Sequence, residues 1–158
     1  MARRPTPRRG TAAVEFAIVL PILTALLFGI WEIGRMVQAS QVLINAAREA
    51  ARQASTGTAD LPTIKANVQS YIQGAEPRVT NFTGFDVKFT DVTRSTVTDP
   101  TGATQLDRFT ITVILPFDNI RWSVIKQFVP AGTNLTAAVD WYSMKDLPVT
   151  VTTGMPVE

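Results

Sequence analysis

Residues 11–30 read TAAVEFAIVLPILTALLFGI, and Glu15 is their only charged residue. Nothing else in the chain restricts its fold as much. Twenty helical residues rise roughly 30 Å, the depth of a bilayer's hydrocarbon core. A helix buried in a globular core rarely runs so long with a single charge, so the run reads as a membrane span. A carboxylate inside such a span is costly and asks for a reason. Pro21 removes one backbone hydrogen bond and kinks or loosens the helix there.

The charges around the run are asymmetric. Arg3, Arg4, Arg8 and Arg9 precede it with no acid among them, and Glu32 and Arg35 follow it. Positive residues stay on the cytoplasmic side, so residues 36–158 are expected across the membrane. The whole chain has 15 Lys+Arg and 13 Asp+Glu; without its first ten residues the basic count falls to eleven, below the acidic one. The basic surplus is therefore local to the leader, and a nucleic-acid-binding surface is not expected. Trp31, at the outer end of the run, reads as an interface anchor.

A secretory signal also begins with basic residues and an apolar run, but it is cut after the run at a small residue. Gly29 and Gly34 are crowded by Phe28, Ile30, Trp31 and Ile33, and the helical pattern continues past them. Gly10 offers a small residue before the run instead. A cut there leaves the run attached.

From Ile33 the pattern turns amphipathic. Apolar residues recur at Ile33, Met36/Val37, Leu43/Ile44, Ala47, Ala50/Ala51 and Ala54, near the 3.6 period. One helix is expected over about residues 12–55, stopped by Gly57. Asp60-Leu61-Pro62 opens a second helix with a buried stripe of Ile64, Val68 and Ile72, ended by Gly74 and Pro77. Three stretches then alternate with period two: Phe85–Phe89, Phe109–Leu115 and Leu135–Trp141. Asp99-Pro100-Thr101-Gly102 fits a type I turn that joins the first two strands as a hairpin. Ile120, Val124, Ile125 and Phe128 fit a short helix or apolar lid closed by Pro130, and the tail from Asp146 reads as extended. The fold class is α+β: a long N-terminal helix whose second half packs on a small antiparallel sheet of about three strands.

Chemistry is restricted as well. The chain has no Cys and no His, so thiolate and imidazole catalysis and most zinc sites are absent. Asp86 with Asp91, and Asp99 with Asp107, are the candidate carboxylate pairs. They read as solvated strand and turn residues, with no run resembling a calcium loop. The serines sit in no nucleophile elbow, and no phosphate-binding loop occurs. Asn81-Phe82-Thr83 and Asn134-Leu135-Thr136 match a weak glycosylation pattern. Trp122 and Trp141 read as core or lid rather than as ligand platforms. No enzymatic activity, cofactor or metal is expected.

The run RRGTAAVEFAIVLPILTALLFGIWEIGRMVQASQVLINAAREAAR resembles the N-terminal signature of TadE-like minor pilins (pseudopilins) of tight-adherence type IV pilus systems, over about residues 8–52. The later stretch ITVILPFDN and TNLTAAVDWYSMKD is similar in layout. Ala50 stands where the family pattern has Gly, and Thr11 is less typical as a first mature residue. The resemblance implies cleavage by a prepilin peptidase between Gly10 and Thr11 on the cytoplasmic side. It implies that Glu15 and Phe16 take the fifth and sixth mature positions. The implied partners are that peptidase, a shorter major pilin, other minor pilins and the pilus assembly platform. The implied location is the bacterial inner membrane, single-pass with the N-terminus inside, and then the extracellular pilus.

The domains expected are a basic leader (1–10), a transmembrane segment (11–31), an amphipathic continuation (32–56) and an extracytoplasmic α+β domain (57–158). In an apolar helical bundle Glu15 needs a cation or a donor. The α-amino group of Thr11 on a neighbouring subunit is such a cation, and it exists only after cleavage; the other reading of Glu15 is an acid near the cytoplasmic boundary that reaches headgroups or water with no partner. The alternative is an uncleaved single-pass anchor displaying a small binding domain for a polysaccharide or a protein.

Overall fold

The structure is a computed structural model that describes residues 9–120 and 132–146. Along the chain run α1 (Arg9–Ser55), α2 (Leu61–Ala75), β1 (Asp86–Asp91), β2 (Arg108–Pro116) and β3 (Asn134–Tyr142). The fold is α+β, as expected. Two compact units divide the chain, residues 1–38 and 39–158.

In the first unit no described residue covers the apolar run of α1. Every large hydrophobic residue from Val14 to Ile33 is exposed, Leu27 and Ile30 each to 69%. Soluble monomers rarely expose contiguous apolar patches beyond roughly a few hundred Å². The helix is long and apolar enough to cross a membrane. Pro21 sits inside it, so the carbonyl of Ala17 loses its usual donor. Three residues on, the Thr24 hydroxyl donates to Leu20 O at 2.8 Å, which satisfies this polar group within the helix. Glu32 departs from the exposed pattern: it is buried, and its Oε2 has no hydrogen-bond partner.

The second unit is built on an alanine face. Ala39, Ala46, Ala47, Ala50, Ala51 and Ala54 on α1 are buried together with Leu43. Side chains this small let a helix approach a sheet closely. They share one core with Ile64, Val68 and Ile72 of α2 and with the inner face of the sheet. That face is Val87 and Phe89 of β1, Phe109, Ile111, Val113 and Leu115 of β2, and Leu135 and Ala137 of β3. The order is β1-β2-β3 and both pairs are antiparallel. Val87 lies opposite Val113, and Ile111 opposite Val139. A slip of one residue would turn each apolar set outward, so the core fixes the register.

Helix ends follow local chemistry. Asp60 accepts from Thr63 N at 3.1 Å and caps α2, with Pro62 in its first turn. Gly57 takes φ +63° just past α1, a conformation that favours glycine. Gly74 does not end α2. The helix runs through it to Ala75 and stops at Glu76, whose N–H donates to Ile72 O, ahead of Pro77. Glycine weakens a helix without ending one, whereas proline forces the preceding residue out of helical geometry.

β1 and β2 form a hairpin through residues 92–107. Within it Pro100–Gly102 is a 3-10 turn: Gly102 N donates to Asp99 O at 3.1 Å and Ala103 N to Pro100 O at 3.1 Å. The bond expected of the type I turn is present, extended by one more. A second 3-10 turn, Phe117–Asn119, follows β2 and buries Phe117. The expected lid residues Val124, Ile125, Phe128 and Pro130, as well as Trp122, Arg3, Arg4, Arg8 and the tail beyond Asp146, lie outside the described residues.

The alanine face gives a direct test. Ala50→Leu should destabilise the second unit by about 1–3 kcal/mol through overpacking, whereas Gln41→Leu on the exposed side should change stability by less than about 0.5 kcal/mol. Urea unfolding of the full chain in detergent micelles, followed by circular dichroism, measures both.

Candidate functional site

The first turns of α1 hold the residues singled out at the N-terminus. Gly10, Thr11 and Glu15 are exposed, and Phe16 is exposed to 60%. Thr11 and Glu15 are four residues apart on one helix and share a face. Among the described residues the Glu15 carboxylate has neither a hydrogen-bond nor an ion-pair partner. A methyl group added at Gly10 would meet no atom within 4 Å, and its φ is not positive. Among the described residues neither packing nor backbone conformation therefore calls for glycine there. Its presence weakens the helix start by about 1 kcal/mol relative to alanine.

The carboxylate pairs of residues 86–107 are structural, and two of the four acids are buried rather than solvated as expected. Asp91 Oδ1 accepts from Thr93 N at 2.8 Å and Arg94 N at 2.7 Å. Asp107 Oδ2 accepts from the backbone and hydroxyl of Thr104 and from Arg94 Nη2. Asp99 accepts from Thr101 N and, across the fold, from Leu61 N at 2.9 Å, which adds a second acid to the start of α2. Asp86 pairs with Lys65 at 2.8 Å. Burial of Asp91 and Asp107 is possible because backbone N–H groups replace water around the charge. Asp91 Oδ2 is buried without a hydrogen-bond partner, and no group of metal-ligating residues occurs among the described residues.

Sequence reasoning missed a cleft of about 690 Å³ within the second unit, between α1, α2 and the end of β3. Tyr71 and Trp141 line it along with Arg48 and Asn45. A polar chain crosses its floor. Arg52 holds Glu49 through Nε at 2.9 Å and Nη2 at 2.6 Å. Gln53 donates to Glu49 at 2.9 Å, and Asn67 donates to Gln53 at 2.9 Å. Glu49 and Arg52 stand at i,i+3 on α1, a local spacing; the link to Asn67 on another helix has none. The hydrogen bonds from Arg52 and then Gln53 lower the Glu49 carboxyl from 4.5 to about 2.

Residues 10–52 match the family model described as TadE-like protein. The matched stretch lies within α1 and takes in its apolar run. The single N-terminal apolar helix fits a single-pass membrane anchor. No match was found among curated proteins or among solved structures.

The carboxylates predict a pH dependence. Glu49 is lowered to about 2 by Arg52 and Gln53, Asp86 is lowered by Lys65, and Asp107 by Thr104 and then Arg94. A depressed folded-state pKa stabilises the fold above the unfolded value, and that contribution is lost as pH falls through the folded one. Stability of the second unit should hold above about pH 5 and decline between about pH 4.5 and 2. Glu49→Gln should flatten this slope by lowering stability modestly at pH 7 while leaving it nearly unchanged near pH 2, and Asp107→Asn should lower stability at pH 7 by more than Glu49→Gln does. Urea midpoints measured across pH on the full chain in micelles test the sign.

Proposed function

We propose that this chain is a minor pilin of a Tad pilus, released from its basic leader between Gly10 and Thr11 by a prepilin peptidase and assembled through α1. The observation that supports the reading best is the uncovered apolar helix within the TadE-like segment, with Glu15 unpartnered near its start. Lipid satisfies the apolar side chains before assembly, but it offers nothing to a carboxylate. The neighbouring subunit's Thr11 amine, bared by cleavage, offers a cation. The pair forms only in the correct helix-to-helix register, so Glu15 sets that register.

Gly10 fits the same scheme. Its small side chain answers no need inside this chain, and it does suit the substrate groove of a protease that must approach the backbone closely. Arg3, Arg4, Arg8 and Arg9 hold the leader in the cytoplasm, and Arg35 lies beyond the span. In this scheme residues 1–10 are the leader, 11–31 the span, 32–56 the amphipathic continuation and 57–158 the extracytoplasmic domain. The partners are the peptidase, the major and other minor pilins and the assembly platform in the inner membrane. The chain serves a structural role in pilus assembly and adhesion, without catalysis.

Glu15→Ala should insert in the membrane at the wild-type level but fall about tenfold or more in sheared filaments, since loss of one partner of a desolvated pair costs several kcal/mol. Gly10→Leu should remain uncut and absent from the sheared fraction. Immunoblots of membrane and sheared fractions from the native host read both. Wild-type incorporation of Glu15→Ala would sink the register role. Retention of the wild-type chain in the membrane alone, uncut, would favour an anchored binding domain.

A further inference from the structure

We infer that the cleft between α1, α2 and β3 binds an oligosaccharide that carries a carboxylate. Its volume, about 690 Å³, lies in the range of small-ligand sites, roughly 300–1,000 Å³. None of its nine lining residues is aliphatic. A docking helix or strand brings aliphatic side chains that seek aliphatic pockets, whereas the apolar surface of this cleft comes from aromatic rings and the stems of polar side chains. A sugar has different needs: its ring faces are C–H surfaces and its edges are hydroxyl groups. Tyr71, 41% exposed, and Trp141, packed partly on the core, offer aromatic faces for the first. Side-chain amides, which donate and accept at once, suit the second.

Those amides are held in place. The run from Arg52 through Glu49 and Gln53 to Asn67 ties α1 to α2 by hydrogen bonds of 2.6–2.9 Å. Each amide keeps further donors or acceptors in a fixed direction, so a ligand orders few side chains on binding. Charge then selects among sugars. Glu49 offsets Arg52, whereas Arg48 is exposed and has no partner among the described residues. A guanidinium in this state takes a carboxylate with two parallel hydrogen bonds. A uronate unit supplies that group on a ring that can stack. The inference stands apart from the pilus reading, because its assay reads binding and not incorporation.

The test uses the full chain in phosphocholine-headgroup micelles, which avoid sugar detergents, titrated with trigalacturonate or neutral maltotriose. Side-chain amide signals of Gln53 and Asn67 and the Trp141 indole signal are followed by NMR. Trigalacturonate should bind saturably with a Kd on the order of 0.1–1 mM, a weak affinity of about −4 to −5.5 kcal/mol, and maltotriose at least about fivefold more weakly. Arg48→Gln should erase that preference, and Tyr71→Ala should weaken both sugars; both positions are exposed, so circular dichroism should show an unchanged fold. Absence of saturable shifts at about 10 mM sugar, or an unchanged wild-type affinity and preference in either variant, would overturn the inference. So would shifts that follow protein concentration without sugar, the sign of a second copy in the cleft.

Discussion

One helix has two apolar surfaces, and this chain covers only one of them. On α1 the alanines from Ala39 to Ala54 are buried in the core of the second unit, while the larger side chains from Val14 to Ile33 are exposed. The contrast in size follows from the two surroundings. Packing beside a sheet rewards small side chains that allow close approach. Contact with lipid or with sibling helices rewards large ones, because more surface is removed from water. The same backbone hydrogen bonds serve both halves, and a helix is one of the few structures that can leave water without stranding them.

Glu15 is intelligible only against that background. In a soluble helix an exposed acid needs no account. In a span it is costly until a partner is found, and no described residue of this chain provides one. Headgroups or water at the boundary, or a cation or donor from a neighbouring helix, are what can serve it. In the assembly proposed above, the cation is the N-terminus of a neighbouring subunit at Thr11. The second unit has a different task. It buries its own core, holds its loop carboxylates with backbone N–H groups, and leaves a cleft open beside Trp141.

Local signals were legible in the sequence. Asp60 and Pro62 marked the start of α2, its stripe of Ile64, Val68 and Ile72 is the buried one, and the three alternating stretches are the three strands. These depend on residues a few positions apart. What escaped depends on residues far apart. Asp99 reaches Leu61 across 38 positions, and Asn67 reaches Gln53 across 14, so neither the loop locks nor the cleft had a local signature. Asp91 and Asp107 read as solvated because an isolated Asp usually is; their burial depends on N–H groups that only the folded loop directs at them. Gly74 was given the role of a stop that Pro77 and the Glu76 cap perform.

The central claim is that α1 is freed from its arginine-rich leader before its bare surface finds neighbours. Mass-spectrometric sequencing of the N-terminal peptide, on chain recovered from its own host, tests it most directly. The account predicts a first residue of Thr11 in protein sheared from the cell surface. A chain that still begins at Met1 or Ala2 there would contradict it, because no bared amine would then exist for Glu15 to meet.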